Sequence, residues 1–415
     1  MKQEPILPKP HDAIIIGGGP AGSTMAARLA GKGLDVILFD KDVHPRFHIG
    51  ESLLPRNLPI LEQLGVLAEV EEIAVKKYGA DLALPDREDY RKFNFAEANK
   101  DHPHAFQVKR AEFDHLLLNN ARAMGAVIYE GTKVTDVCFA DEDTVAVTTD
   151  GLEGSAMQWR ARFVVDASGR DTFLAGRMKT KLRDPNHNSA AVFAHFEGVE
   201  RRPGEDAGNT SVTWFENGWF WTIPLSGNVD SVGVVCDPEF LRTRKGSLDE
   251  FLVQTIASCP QMQSRMAKAR PISETQAAGN FSYKSSTMQG DRFLMIGDAY
   301  AFLDPMFSTG VYLAMESAMQ GADAVHTFLT EPDTGRLHLD AHVTTMERGL
   351  GRLSWFIYKF NTPATRKLFM SRLNPLNMRR EVISLLAGDV FGRRSGGIGV
   401  PAFKLAHRML SVVLR

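Results

Sequence analysis

The sequence predicts an α/β protein in which a doubly wound, parallel-sheet domain is joined to a second β-sheet domain and a helical C-terminal region. Three observations predict it. A strand, a glycine-rich turn, a helix and a second strand follow one another within about thirty residues, the length of a βαβ unit. A block of consecutive strand patterns, residues 187–237, then interrupts the α/β order, which suggests a second sheet. Beyond residue 330 only amphipathic helical periodicity remains.

After a proline-rich arm, Asp12–Ile16 is apolar past its first residue, as buried parallel strands are. It runs directly into Gly17-Gly-Gly19-Pro-Ala-Gly22. Ser23–Ala30 has Met25, Ala26 and Leu29 spaced to pack on a sheet; Gly31 and Gly33 end it, and Leu34–Phe39 forms the next strand, closing at Asp40. Helical spacing returns over Leu58–Glu72. Ala126–Tyr129, Thr144–Thr148 and Phe163–Val165 read as strands. Ala190–His195, Thr210–Phe215 and Val229–Cys236 alternate as half-buried strands do. Phe293–Ile296 is another buried strand, followed by a Gly/Pro loop and an apolar helix, Gly310–Leu329.

Composition narrows the function. The chain has 415 residues, 44% apolar and 24% charged, so it is an ordinary globular chain of two or three domains. A net charge of −2 excludes the basic signature of a nucleic-acid binder. Three scattered cysteines exclude a disulfide framework and a cysteine metal site, and fit a reducing cytoplasm. No metal site is expected, and neither a GxSxG elbow nor a P-loop occurs. With no signal-peptide core and no run of 18 apolar residues, a cytoplasmic location is expected. Residues 347–415 carry 13 Arg/Lys against 3 acids, so the rest of the chain carries about −12, an asymmetry that suggests a docking face.

The GxGxxG turn sits between a strand and a helix, where each glycine has a job. Gly17 makes the tight turn, Gly19 lets a pyrophosphate approach the backbone, and Gly22 lets helix and strand pack. The helix N-terminus offers unpaired amides to phosphates, and Asp40 can accept from ribose hydroxyls. This makes the first domain a Rossmann-like dinucleotide site.

Three further stretches resemble the FAD-binding set of the aromatic-hydroxylase-like flavoprotein superfamily: Arg46-Phe-His-Ile-Gly50-Glu51-Ser-Leu-Leu-Pro55, Asp166-Ala-Ser-Gly169-Arg170, and Gly297-Asp298-Ala299 with Asp304-Pro305 and Ser308-Thr309-Gly310-Val311. The resemblance implies FAD, with Asp298 on the ribityl chain and the helix after Pro305 aimed at the flavin ring. Gln107 and Arg110 match a stretch associated with FAD contacts. Within the superfamily, Trp219-Phe-Trp221-Thr-Ile223-Pro224 resembles the WxWxIP motif of the flavin-dependent halogenases (the tryptophan-halogenase-like family), and Lys77-Tyr-Gly79-Ala80 resembles its KxGA. The family's layout implies an FAD-binding domain over 10–180 with a substrate-side insertion near 76–105, a β-sheet substrate domain over 181–280, the return of the FAD domain over 281–330, and a basic helical region over 331–415.

What the resemblance implies is a two-site reaction. Reduced FAD, supplied by a flavin reductase, and oxygen give a hydroperoxide that oxidises a halide held at the amides of Thr309 and Gly310. The hypohalous acid then reaches Lys77, beside the organic substrate. Trp219 and Trp221 keep that substrate from the flavin. Phe307 stands where tryptophan halogenases have a glutamate, so the pattern is closer to the branch acting on phenols or pyrroles, often tethered to a carrier protein. The chain is also short for the family, and its basic C-terminal region would suit an acidic acyl carrier protein. Two alternatives share the FAD domain: a monooxygenase hydroxylating an aromatic or polyene-pathway intermediate, and a prenyl-lipid reductase lying on a membrane surface.

Overall fold

The computed structural model describes residues 9–86, 89–139, 141–150, 156–184, 187–279, 282–392 and 397–414; the arm before residue 9 lies outside them. Its first sheet has the order Gln289–Gly290, Phe293–Met295, Ala156–Asp166, His11–Ile16, Val36–Phe39, Val127–Tyr129. The five strands from Phe293–Met295 onward run parallel. Ile14, Ile15, Leu38, Val164 and Leu294 are fully buried, because the helices Pro20–Ala30, Arg110–Ala123 and Thr309–Thr330 cover the sheet. Parallel strands bring their carboxyl ends to one edge, where such sheets bind ligands. The Gly17–Gly22 turn, Asp40, Ala167–Arg170 and Gly297–Asp298 all leave the sheet there.

The second sheet runs Arg270–Pro271, Ala190–Glu197, Val229–Cys236, Gly218–Leu225, Thr210–Phe215, Gly79–Ala83, Tyr90–Asn94, with Gln276–Gly279 paired off that path. Its strands alternate between two cores, as period-2 geometry requires. Ala191, Phe193, Val212, Trp219, Trp221 and Ile223 face the main core. Val192, Ala194, Phe220, Val232 and Val234 face a smaller one closed by Phe251, Leu252 and Met262.

Some elements differ from the sequence expectation. Leu58–Glu72 is two helices, Leu58–Leu64 and Leu67–Ile73, separated at Gly65, whose φ of 74° a continuing helix cannot hold. The strand expected over Phe163–Val165 begins at Ala156, because its polar first half pairs antiparallel with Val145–Asp150. Gly79–Ala83, noted only as a motif, adds to the second sheet parallel to Thr210–Phe215.

The helices Pro332–Lys359, Pro363–Met370, Met378–Leu386 and Gly399–Val413 pack over one end of the second sheet, where Phe360 stacks on Trp214 (4.9 Å). Arg379, part of the expected basic docking face, is turned inward. It donates to Glu97 Oε1 (2.8 Å) and Lys92 O (2.6 Å), fastening this cover to the 76–105 segment, whereas Arg380 is exposed. Among the described residues no helix is long and apolar enough to cross a membrane, and no three His, Cys, Asp or Glu gather to hold a metal.

Candidate active site

A cavity of about 370 Å³ lies between the two sheets. At one end it follows the carboxyl edge of the parallel sheet. Gly17 has φ 103°, and a Cβ there would stand 2.4 Å from Ala167 O. A Cβ at Gly22 would stand 1.8 Å from Gly17 O, so helix and turn touch backbone to backbone. Gly19 is open toward Arg46 and the cavity. Asp40 accepts from Gly18 N and Asp42 N, which fixes its carboxylate at the rim. Arg110 is buried and spends its donors on Asp114 (2.7 and 2.9 Å) and Ile49 O (2.9 Å). It therefore shapes the 46–50 loop, while Arg46, also paired with Asp114 (3.2 Å), reaches toward the glycine turn.

Farther along, Asp298, Pro305, Ser308, Gly310 and Val311 form one wall. Burial pushes the Asp298 carboxyl up to about 6 against the opposing pull of Arg170 and Arg110. The 22-residue helix Thr309–Thr330 starts at this wall after Ser308, held at φ 56°, and so aims its positive dipole end at the cavity. Trp219 and Trp221 form the opposite wall, 6.1 Å apart between ring centroids, with Trp221 Nε1 donating to Ser231 Oγ (3.2 Å). Trp219 and Met306 also line a second cavity of about 410 Å³, which contains the His187–Asp304 pair (2.8 Å) and Arg366.

Lys77 lies at the end of the cavity where Ser52 and Thr210 form the wall. Strand geometry sends neighbouring residues to opposite faces. Lys76 accordingly pairs with Glu71 outside (2.9 Å), while Lys77 is only 2% exposed. Its Nζ is 2.6 Å from Ser52 Oγ and lies 5.4 Å from the Phe95 ring. Burial, with no charged neighbour contributing, pushes the ammonium down to about 7. Nearby, Glu51 is buried with Oε1 on His195 Nε2 (2.8 Å) and Oε2 unpartnered.

Gly17, Gly19, Asp40, Arg46, Glu51, Arg110, Trp219, Trp221, Asp298, Pro305, Gly310 and Val311 thus share one cavity, whereas Gly22, Lys77, Gln107 and Thr309 stand behind its wall. Gln107, expected at the cofactor, instead turns its amide to Gly208 O and Thr210 Oγ1. Its strand pairs with Val75–Lys77, which points the side chain into the lysine's surroundings. Sequence reasoning missed His195 and Thr210. Neither carries a local signal, since each reaches the site through the pairing of the second sheet.

Residues 70–368 match the family model for tryptophan halogenase, and residues 15–56 match a NAD(P)-binding Rossmann-like domain. The chain belongs to the tryptophan halogenase family. It is similar to 1H-pyrrole-2-carbonyl-[peptidyl-carrier protein] chlorinase of Pseudomonas fluorescens, 29% identical over 412 residues, covering 92% of this chain and 90% of the relative. Flavin-dependent halogenase armH3 of Armillaria mellea is 35% identical over 346 residues, with 77% and 68% covered. Among solved structures, the myxobacterial chondrochloren halogenase CndH, described as a variant of FAD-dependent halogenases, superposes with a TM-score of 0.81 at 30% identity, covering 96% of this chain and 93% of that one.

This halogenase-family chain is an FAD-dependent oxidoreductase, with halide as a substrate. Its residues fit the cofactor. The Gly17–Gly22 cradle leaves no room for a Cβ at two of its glycines, the helix N-terminus and Arg46 offer donors to a pyrophosphate, and the half-buried Asp298 offers an acceptor to ribityl hydroxyls.

Proposed function

We propose that this enzyme halogenates an electron-rich ring, a phenol or pyrrole borne on an acyl carrier protein, with Lys77 directing the oxidised halogen. When bound, FAD reduced by a separate flavin reductase supplies, with dioxygen, the two-electron oxidant for chloride or bromide. The observation that carries the reading is Lys77 itself, a buried amine with its pKa drawn down to about 7, one hydroxyl behind the cavity wall. A side chain so placed is costly to bury and fits a task that needs a neutral amine near physiological pH.

The other residues have supporting parts. The amides of Thr309 and Gly310, at the start of a long helix, suit an anion, and the Trp219–Trp221 wall keeps an aromatic substrate off the flavin. Phe307 packs edge-on against Phe360 (5.5 Å), so the turn presents an apolar ring where an assisting carboxylate would stand. An activated ring, whose own electron density drives the substitution, needs no such carboxylate. The pyrrole chlorinase similar to this chain acts on a carrier-bound ring. Exposed Arg372, Arg380 and Arg408 offer cations to an acidic carrier.

The test supplies purified protein with FAD, a flavin reductase, NADH, oxygen and bromide, and a panel of free and carrier-tethered phenols and pyrroles read by mass spectrometry. Bromide-dependent bromination that disappears in Lys77→Ala is the expected result. Oxygen incorporation independent of bromide, unchanged in Lys77→Ala, would make the enzyme a monooxygenase.

A further inference from the structure

Lys77 Nζ does not itself line the flavin cavity; the Ser52 hydroxyl stands between, hydrogen-bonded in turn to that of Thr210. Ser52 Oγ is 2.6 Å from Nζ and 3.1 Å from Thr210 Oγ1, and both Ser52 and Thr210 line the cavity. Gln107 fixes the far end of this chain of contacts. Its amide nitrogen donates to Gly208 O (3.0 Å) and Thr210 Oγ1 (2.9 Å). An amide has two protons, so both are spent, and the Thr210 oxygen keeps one free lone pair and its own proton.

That inventory allows two orders of the remaining protons. With Lys77 as an ammonium, Nζ donates to Ser52, Ser52 donates to Thr210, and the Thr210 proton is left for the cavity. With Lys77 neutral, Thr210 donates to Ser52, and Ser52 donates to the Nζ lone pair. Three short hops convert the first order into the second. The Thr210 proton passes to a cavity water, the Ser52 proton to Thr210, and an Nζ proton to Ser52. One N–H bond is broken, one O–H bond is formed on the water, and no electrons change hands.

We propose that Ser52 and Thr210 form a two-hydroxyl relay that carries the Lys77 proton to the flavin cavity and so readies the amine for the oxidised halogen. The proposal rests on the Lys77 reading above. The neutral amine can then meet hypohalous acid in a balanced step: the N–halogen bond forms, the O–halogen bond and one N–H bond break, and water leaves. Ser52 and Thr210 act through Lys77 and are positioning residues. The charged and titratable groups around the lysine are otherwise engaged. Lys76 faces Glu71 on the outer surface (2.9 Å), Glu51 turns to His195 (2.8 Å), and His104 lies against the Tyr78 and Phe106 rings.

The experiment needs no organic substrate. Protein loaded with FAD and reduced is mixed with oxygen and bromide, desalted, and assayed for protein-bound oxidising equivalents by their oxidation of iodide. The wild type is expected to form them at pH 6 and at pH 9. Ser52→Ala and Thr210→Val are expected to form them about tenfold more slowly at pH 6, where the lysine must lose a proton, and to converge with wild type at pH 9, where it is already neutral. Ser52→Thr keeps a hydroxyl and is expected to restore the rate at pH 6, which separates the relay from a packing defect. A loss of equal size at both pH values, or no loss at pH 6, would overturn the relay alone. Equivalents that persist in Lys77→Ala, or that never form on the wild type, would overturn the Lys77 reading and take the relay with it.

Discussion

The two ends of the flavin cavity are built in opposite ways. At the nucleotide end, turn, helix and acid come from one stretch, residues 17–40, and backbone does most of the work. At the lysine end, the contacts join residues far apart in the chain. Ser52 meets Lys77 across 25 positions, Gln107 meets Thr210 across 103, and Ser52 meets Thr210 across 158. The nucleotide end is a shape that glycine permits. The other end is a set of buried polar side chains that stay in place only while each has a partner. Steric insults should therefore break the first, and losses of single polar atoms the second.

The largest effect is expected at Gly22. A Cβ there would lie 1.8 Å from Gly17 O, a distance that neither backbone can relieve without unmaking the turn. Gly22→Val should lose FAD on gel filtration and with it every activity. Retained yellow colour and normal turnover would show that the turn tolerates displacement.

Next comes Lys77→Met, which should cut halogenation by about a hundredfold or more while raising stability. The sign follows from linkage. Lys77 titrates at about 7 when folded and near 10.5 when unfolded. Between those values the unfolded chain holds a proton that the folded chain lacks, so the wild type loses stability as pH falls from 10.5 toward 7. Below 7 both forms are charged and the cost is constant, about 5 kcal/mol at most. Methionine carries no such cost. Denaturant unfolding should show the variant's advantage widening from pH 9 to pH 7 and levelling off below. An advantage that does not change with pH would mean that the lysine is solvated.

The same contrast explains what was legible in the sequence. The nucleotide end could be read because its strand, turn, helix and acid are contiguous, and each glycine answers to a local steric demand. WxWxIP could be placed on one face because period-2 alternation is local too. The hydroxyls behind Lys77 were not legible, although Ser52 stood within a motif, because its partners are fixed by strand pairing. Thr210 faces Ser52 only because Thr210–Phe215 lies beside Gly79–Ala83, and no spacing in the chain announces that pairing. Arg379 shows the reverse case: charge counting treats it as a free surface cation, whereas contact with Glu97 and Lys92 O ties its guanidinium to the 76–105 segment.

Trp219→Ala tests the wall between the flavin cavity and its neighbour. Trp219 is 3% exposed and separates the flavin cavity from the polar one beyond it. Truncation should cost about 3–5 kcal/mol of stability, as large aromatic deletions in cores do, and should join the two spaces. More water beside the flavin should then divert oxygen to free hydrogen peroxide, measured as peroxide released per NADH consumed. An unchanged ratio would mean that the second cavity already communicates with the flavin.

The smallest effects are expected on the C-terminal cover, where two adjacent arginines should behave differently. Arg379 is half-buried over the Phe93 ring and pinned to Glu97 and Lys92 O; Arg380 is exposed. Arg379→Ala should lower stability by about 1 kcal/mol, the scale of a partly exposed charged hydrogen bond, and should loosen the cover over the 76–105 segment. Arg380→Glu should leave stability unchanged and weaken association with an acidic carrier protein two- to fivefold at low salt, an effect that 0.5 M salt should erase because exposed charges are screened. Calorimetric melting and carrier titration at two salt concentrations separate the two. Equal effects of both substitutions on carrier binding, with neither touching stability, would put Arg379 back on the docking face and deny the cover its clasp.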